Sequence, residues 1–131
     1  MAWPTSTKTI RIGKGNLFAS DCPTRSILND VTSRWGSLVM VLLLKDTYRF
    51  SELAYLIGGV SEKMLAQSLR ALEEDGFVLR TVRATKPPKV EYSLTALGRE
   101  LAVHMQALAT YIEQNVARIM AHRKTAARKA A

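Results

Sequence analysis

The chain has 131 residues, 47% hydrophobic and 23% charged, with one cysteine and a formal charge of +8. This length suits one domain with a real core and is too short for two, and the composition is that of an ordinary soluble globule. A lone cysteine excludes an internal disulfide framework and a four-cysteine zinc site, and the longest apolar run, Leu38–Leu44, falls well short of the roughly 20 residues that cross a bilayer.

Met1-Ala2-Trp3-Pro4 leads into polar and basic residues rather than a secretory apolar run, so a cytoplasmic protein is expected. Residues 1–20 lack periodicity and are predicted to form a flexible basic arm; Gly13-Lys14-Gly15 within it is too short for a phosphate loop. Residues 21–122 are predicted to hold the folded domain. Pro23 suits a first helical position, and Ile27, Leu28 and Val31 mark one face of a helix ending near Arg34. Trp35-Gly36-Ser37 starts a second helix. Its run from Leu38 to Lys45 is apolar nearly all round, the pattern of an element buried on most sides. Asp46 to Arg49 reads as a polar link.

Phe50, Leu53, Ala54 and Ile57 then pattern a short helix that stops at Gly58-Gly59. Ser61 can cap another, running through Leu65, Leu69 and Leu72 to Asp75 and closed by Gly76. Two helices joined by a short Gly-containing turn form a helix-turn-helix. A β-branched run (Val78 to Val82), a basic proline turn (Lys86-Pro87-Pro88-Lys89) and a second run (Val90 to Leu94) predict a hairpin. The fold class expected is therefore mainly α with a small β hairpin, a winged helix-turn-helix. Thr95 can cap a long helix reaching about His122. The helix is on the order of 40 Å long, more than one small domain needs, and its stripe Leu101, Met105, Leu108, Ile112, Val116 and Ile119 predicts a dimerisation helix in a homodimer. Residues 123–131 are expected to be a frayed basic tail.

The candidate chemistry is recognition rather than catalysis. Lys63, Gln67 and Arg70 repeat at four and three residues, about 200° round the helix from the leucines. Gln can bond an adenine edge and Arg a guanine edge, each with about 1–3 kcal/mol of discrimination. Ser61 and Ser68 can donate to phosphates, and Met64 joins the candidate recognition-helix set. The wing candidates are Arg80, Arg83, Lys86 and Lys89, four cations with no carboxylate between Arg80 and Lys89. A rigid cationic loop suits phosphates or a minor groove. Glu91, just beyond, is expected to hold a cation of its own chain. Double-stranded DNA is the expected partner. The alternative is a winged-helix module that binds another protein. Nothing in the pattern suggests an enzyme, a cofactor or a metal: His104 and His122 lie far apart with no third ligand nearby.

Cys22-Pro23, Trp35, Arg49-Phe50-Ser51-Glu52-Leu53, Val60 to Leu65, Leu72 to Val78 and Pro87 to Gly98 together resemble the HxlR family of bacterial transcription regulators, over about residues 20–110. The resemblance implies a winged-helix homodimer on a pseudo-palindromic operator, associated with the nucleoid through that DNA. It makes the Ser61–Asp75 segment the recognition helix and the Arg80–Lys89 hairpin the wing. Several members sense oxidants or electrophiles through a cysteine at the place of Cys22, which makes this thiol a candidate sensor and an oxidant or small molecule a candidate effector. Locally, a helix N-terminus starting at Pro23 lowers a thiol pKa, while a small buried apolar role is the alternative. The arm before Asp21 and the extension after Ala121 lie outside the resemblance.

Overall fold

The computed structural model describes residues 17–130. Most of the flexible arm expected over residues 1–20 therefore lies outside the described residues. Helix α1 (Pro23–Thr32) starts with proline at its first turn, where a missing N–H costs nothing. Helix α2 (Arg34–Lys45) follows after one residue, at a bend of 72°. Ser33 makes that corner: its hydroxyl donates to Asp30 O at 2.9 Å and accepts from Gly36 N at 3.1 Å. Strand β1 (Tyr48–Arg49) leads straight into helix α3 (Phe50–Ile57), whose first turn is held by Arg49 N donating to Glu52 Oε1 at 2.8 Å.

Helix α4 (Glu62–Glu74) starts at Ser61, whose Oγ accepts from Met64 N at 3.1 Å, as the capping pattern predicts. It ends in a Schellman motif, with Phe77 N bonded to Leu72 O and Gly76 N to Glu73 O, both at 3.0 Å. That motif requires a left-handed residue, and Gly76 supplies it with φ 86°. Strands β2 (Val78–Arg83) and β3 (Lys89–Leu94) form the hairpin, and helix α5 (Ala96–Ala130) closes the chain. Thr95 caps α5, its Oγ1 accepting from Gly98 N at 3.0 Å.

The sheet has three antiparallel strands in the order β1-β3-β2. Tyr48 pairs with Tyr92 and Arg49 with Glu91, so the segment expected as a polar link contributes a third strand. Two residues carry no period to read, and the partner strand lies far along the chain. The core gathers Val31, Val39, Met40, Leu43, Leu53, Leu65, Leu69 and Leu72 under Phe77, Val78, Tyr92 and Leu94. Helix α2 sits at its centre, as its pattern predicts, although Leu38 stays exposed. Helix α1 departs from expectation: Val31 is buried, but Ile27 and Leu28 remain 40% and 41% exposed.

Helix α5 differs at both ends of its stripe. Gly98, Ala102 and Met105 are its buried residues, and Leu101 packs partly against the same core. Met105 and Leu101, expected in a dimer interface, thus serve their own protomer first. At the other end the helix runs through residues expected to fray, reaching Ala130. No single helix among the described residues is long and apolar enough to cross a membrane.

Candidate nucleic-acid interface

Gly58 and Gly59, at φ 68° and 75°, turn the chain between α3 and α4 in a conformation that residues with a Cβ resist. Half-buried Val60 follows, and α4 then presents two opposite sides. Leu65, Leu69 and Leu72 are at most 1% exposed and fix the helix to the core. Ser61, Lys63, Met64, Gln67 and Arg70 are exposed, whereas Ser68 is half-buried and turned toward the flank. The outward surface carries an amide, two cations and, through Met64, an apolar group suited to a thymine methyl. Carboxylates flank that surface at both ends: Glu62 is exposed in the first turn, and Glu74, four residues beyond Arg70, lies on the same outward side by helical spacing. DNA-reading helices use their N-terminal residues for bases; Lys63 and Met64 lie in the first turn, Gln67 in the second and Arg70 in the third. Ser61 keeps its own O–H for a phosphate, because Met64 N engages only the lone pair of its oxygen.

The wing is less uniform than its sequence implies. Arg83 lies opposite Lys89, Thr81 opposite Glu91, and Arg80 opposite Tyr92. Side chains alternate between sheet faces, so Arg83 and Lys89 share one face with Glu91 while Arg80 lies on the other. Arg83 Nε is 3.2 Å from Glu91 Oε2, the intramolecular hold expected for Glu91. Lys86 stands at the tip, before a cis bond to Pro87, where Thr85 Oγ1 donates to Pro87 O at 2.7 Å. Lys86, Lys89 and Arg80 thus form no ion pair with a carboxylate among the described residues, and Arg83 does.

Sequence pattern missed two features. Tyr55, 86% exposed, and Leu56 stand on the outer side of α3 and line an open cleft of about 440 Å³ with Tyr48, Ser51 and Glu52. Leu56 falls one turn after Leu53, and only the fold shows which of them faces the core. The second feature is a carboxyl pair joining α1 to the end of α4. Burial pushes Asp75 up to about 6, helped by a hydrogen bond to Asp30, by the Asp30 charge and by Glu74. The Asp75 Oδ2 is enclosed and has no ordinary donor beside it. Cys22 is half-buried at the N-cap of α1, its carbonyl accepting from Arg25 N at 3.0 Å and Ser26 N at 3.3 Å.

Exposed apolar side chains also line the middle of α5. Leu108, Ile112, Val116 and Ile119 on α5 are 37% to 53% exposed, with Tyr111 and Met120 beside them. Ile27 and Leu28 on α1 and Leu38 on α2 are exposed as well, and both α1 and α5 pack on α2. Among the described residues no group of three or more His, Cys, Asp or Glu side chains could hold a metal ion.

Residues 30–120 match the model of the HxlR-like helix-turn-helix family. The chain is 54% identical over 113 residues to the uncharacterized HTH-type transcriptional regulator YtfH of Escherichia coli K12, covering 86% of this chain and 90% of that protein. A solved structure of a transcriptional regulator YtfH from Salmonella typhimurium superimposes with a TM-score of 0.80 at 54% identity, over 85% of this chain and 99% of that one. The redox regulator HypR in its oxidized form superimposes with a TM-score of 0.67 at 34% identity, over 72% of this chain and 97% of that one. The buried leucines, the glycine turn, the three-stranded wing and this match agree: the chain is a DNA-binding transcription regulator of the HxlR-like helix-turn-helix family.

Proposed function

We propose that the chain reads a two-fold DNA site as a homodimer, placing α4 of each protomer in a major groove. The observation that carries this is the division of α4 into a fully buried leucine side and an exposed side bearing Lys63, Gln67 and Arg70. Lys86, Lys89 and Arg80 on the wing supply phosphate contacts that fix register without reading sequence. The exposed apolar stripe of α5 is the surface offered to the second copy, since single monomers rarely leave large apolar patches uncovered. The site of action is then the operator DNA in the cytoplasm. No step of this reading calls for catalysis.

Selection of bound duplexes from a random pool, at one stated ionic strength, tests it. The expected product is an inverted repeat whose half-sites lie about 34–36 Å apart, one turn of the duplex. Arg70→Ala and Gln67→Ala then relax the choice of base, each by about 1–3 kcal/mol, and change binding to random duplex little. Equal losses on selected and random duplexes would remove α4 from base readout.

Likeness to a redox regulator supports a second element, control through Cys22. A hydroperoxide would oxidise the thiolate to a sulfenic acid, releasing an alcohol or water. A low-molecular thiol, or the Cys22 of a second copy, would then condense with it to a disulfide and release water. Placed at the start of α1, beside an apolar flank, the adduct would alter packing between copies. Mass spectrometry and operator affinity before and after mild peroxide decide this. An adduct that leaves affinity unchanged makes Cys22 structural.

A further inference from the structure

Beyond Met105 no residue of α5 is buried, so the helix leaves its own protomer as an unsupported rod. The stripe that suits a second copy steps by threes and fours through Leu108, Ile112, Val116 and Ile119. Continued at the same spacing it meets Arg123, Ala126 and Ala130, so its large apolar groups end at Ile119. The match to the family model ends there too, at residue 120. The last turns of the helix have a different chemistry. From Gln114 to the end of the chain there is no acidic side chain, while Arg118, Arg123, Lys124, Arg128 and Lys129 are all present and exposed.

None of these cations meets a carboxylate side chain among the described residues, where the ion pairs are Arg49–Glu52 and Arg83–Glu91. Arg118 donates to the neutral Asn115 Oδ1 at 3.1 Å and so keeps its charge. Lys124 and Arg128 stand one turn apart and repel, and a lone helix of this length is marginal without a partner. Arg128 and Lys129 in the last turn gain from the helix dipole, which only partly offsets that repulsion. A ligand that fits is long, anionic and indifferent to the direction each cation points, because the cations lie all round the helix. From Ala121 to Ala130 the helix spans about 15 Å, over which a duplex presents on the order of nine phosphates.

We propose that the end of α5, from Ala121 to Ala130, is a second and sequence-independent DNA-binding element that lies along phosphates outside the site read by α4. It rests on the DNA-binding reading above. Its contribution is affinity and residence on any duplex, because phosphate contacts carry no base information.

The test compares the full chain with a variant carrying Arg123→Gln, Lys124→Gln, Arg128→Gln and Lys129→Gln together, since glutamine keeps the helix propensity and removes the charge. Affinity for a long duplex of random sequence is measured between about 50 and 200 mM salt. The expected result is a salt slope shallower by about two to four, at roughly 0.9 for each phosphate no longer neutralised. The preference for a selected operator over random duplex stays within about twofold, because these contacts are common to both. An unchanged slope in a variant that still binds duplex overturns the proposal. So does a variant that sediments as a smaller species than the full chain, which would make this segment part of the contact between copies. An unchanged slope with lost binding to phosphatidylserine vesicles would assign the cations to a membrane surface and overturn it as well. If the unmodified chain binds no duplex at all, the DNA-binding reading beneath the proposal fails, a result distinct from the others.

Discussion

Arg83 and Lys89 face each other across the hairpin, yet they are not equivalent cations. Arg83 is 63% exposed and held at 3.2 Å from Glu91, so a phosphate must compete with a carboxylate already in place. Such exposed pairs are worth at most about 1 kcal/mol, enough to dilute a phosphate contact without abolishing it. Lys89→Ala should therefore reduce the salt slope of DNA binding by about one, and Arg83→Ala by clearly less. Glu91→Gln should strengthen binding to random duplex. Equal slopes for the two cation variants would show that the Arg83–Glu91 pair opens at no cost on DNA. Asp75 is the other residue whose surroundings set its behaviour. Its carboxyl is raised from 3.8 to about 6, chiefly by burial. Between those values the folded state binds the proton and the unfolded chain does not, so stability falls as pH rises through that window. Above about pH 6 the penalty is complete. Asp75→Asn removes it, and near neutral pH the variant should be more stable by about 1–2 kcal/mol in urea unfolding, after discounting for partial exposure. The gain should vanish near pH 4. A gain that persists unchanged at pH 4 would assign it to something other than this proton.

The helices were legible because each carries its own punctuation. Pro23, Ser61, Thr95, Gly58-Gly59 and Gly76 mark boundaries that the structure reproduces within a residue or two, and Leu65, Leu69 and Leu72 fix the buried side of α4 by spacing alone. Where pattern failed, the deciding contact was distant or belonged to nothing in the chain. Strand β1 exists only through Tyr92 and Glu91, and the pairing of Arg83 with Glu91 needs the hairpin register. Ile27 and Leu28 repeat like core residues, but on that side of α1 only Val31, nearest the bend at Ser33, is buried, and the turn before it stays exposed. The far end of α5 looked like a tail because its residues lack apolar period, although Ala, Arg and Lys are strong helix formers. One close contact, between α5 and the turn before β2, has a sharp test. A Cβ on Gly98 would run into the carbonyl oxygen and Cα of Phe77, backbone that cannot yield as a flexible side chain would. Gly98→Ala should gain helix propensity and still lose about 1–3 kcal/mol of stability, read as a lower thermal midpoint. A midpoint equal to or above the starting protein's would mean that α5 shifts freely against the wing.

At the scale of the whole molecule, the chain divides α5 into three stretches with different dependants. Gly98, Ala102 and Met105 serve the protomer's own core, the stretch from Leu108 to Ile119 presents bulky apolar groups outward, and the end presents only charge and alanine. The middle stretch is where a second copy gains most, because burying a side chain such as Ile112 removes about 1.5–3 kcal/mol worth of apolar surface from water. The proposed two-fold recognition of DNA depends on that contact, since a single winged helix reads only one half-site. Ile112→Glu places a carboxylate there while leaving the buried first turns of α5 untouched. Sedimentation should move from twice the chain mass toward 14.6 kDa, with dimer affinity falling by at least about tenfold. The thermal transition of the protomer core should survive, and affinity for an inverted repeat should collapse toward that for one half-site. Gln114→Glu adds the same charge about 200° round the helix and should leave the mass unchanged. A starting protein that sediments at 14.6 kDa, or an Ile112→Glu variant that keeps the double mass, would mean that this apolar stripe does not join the copies.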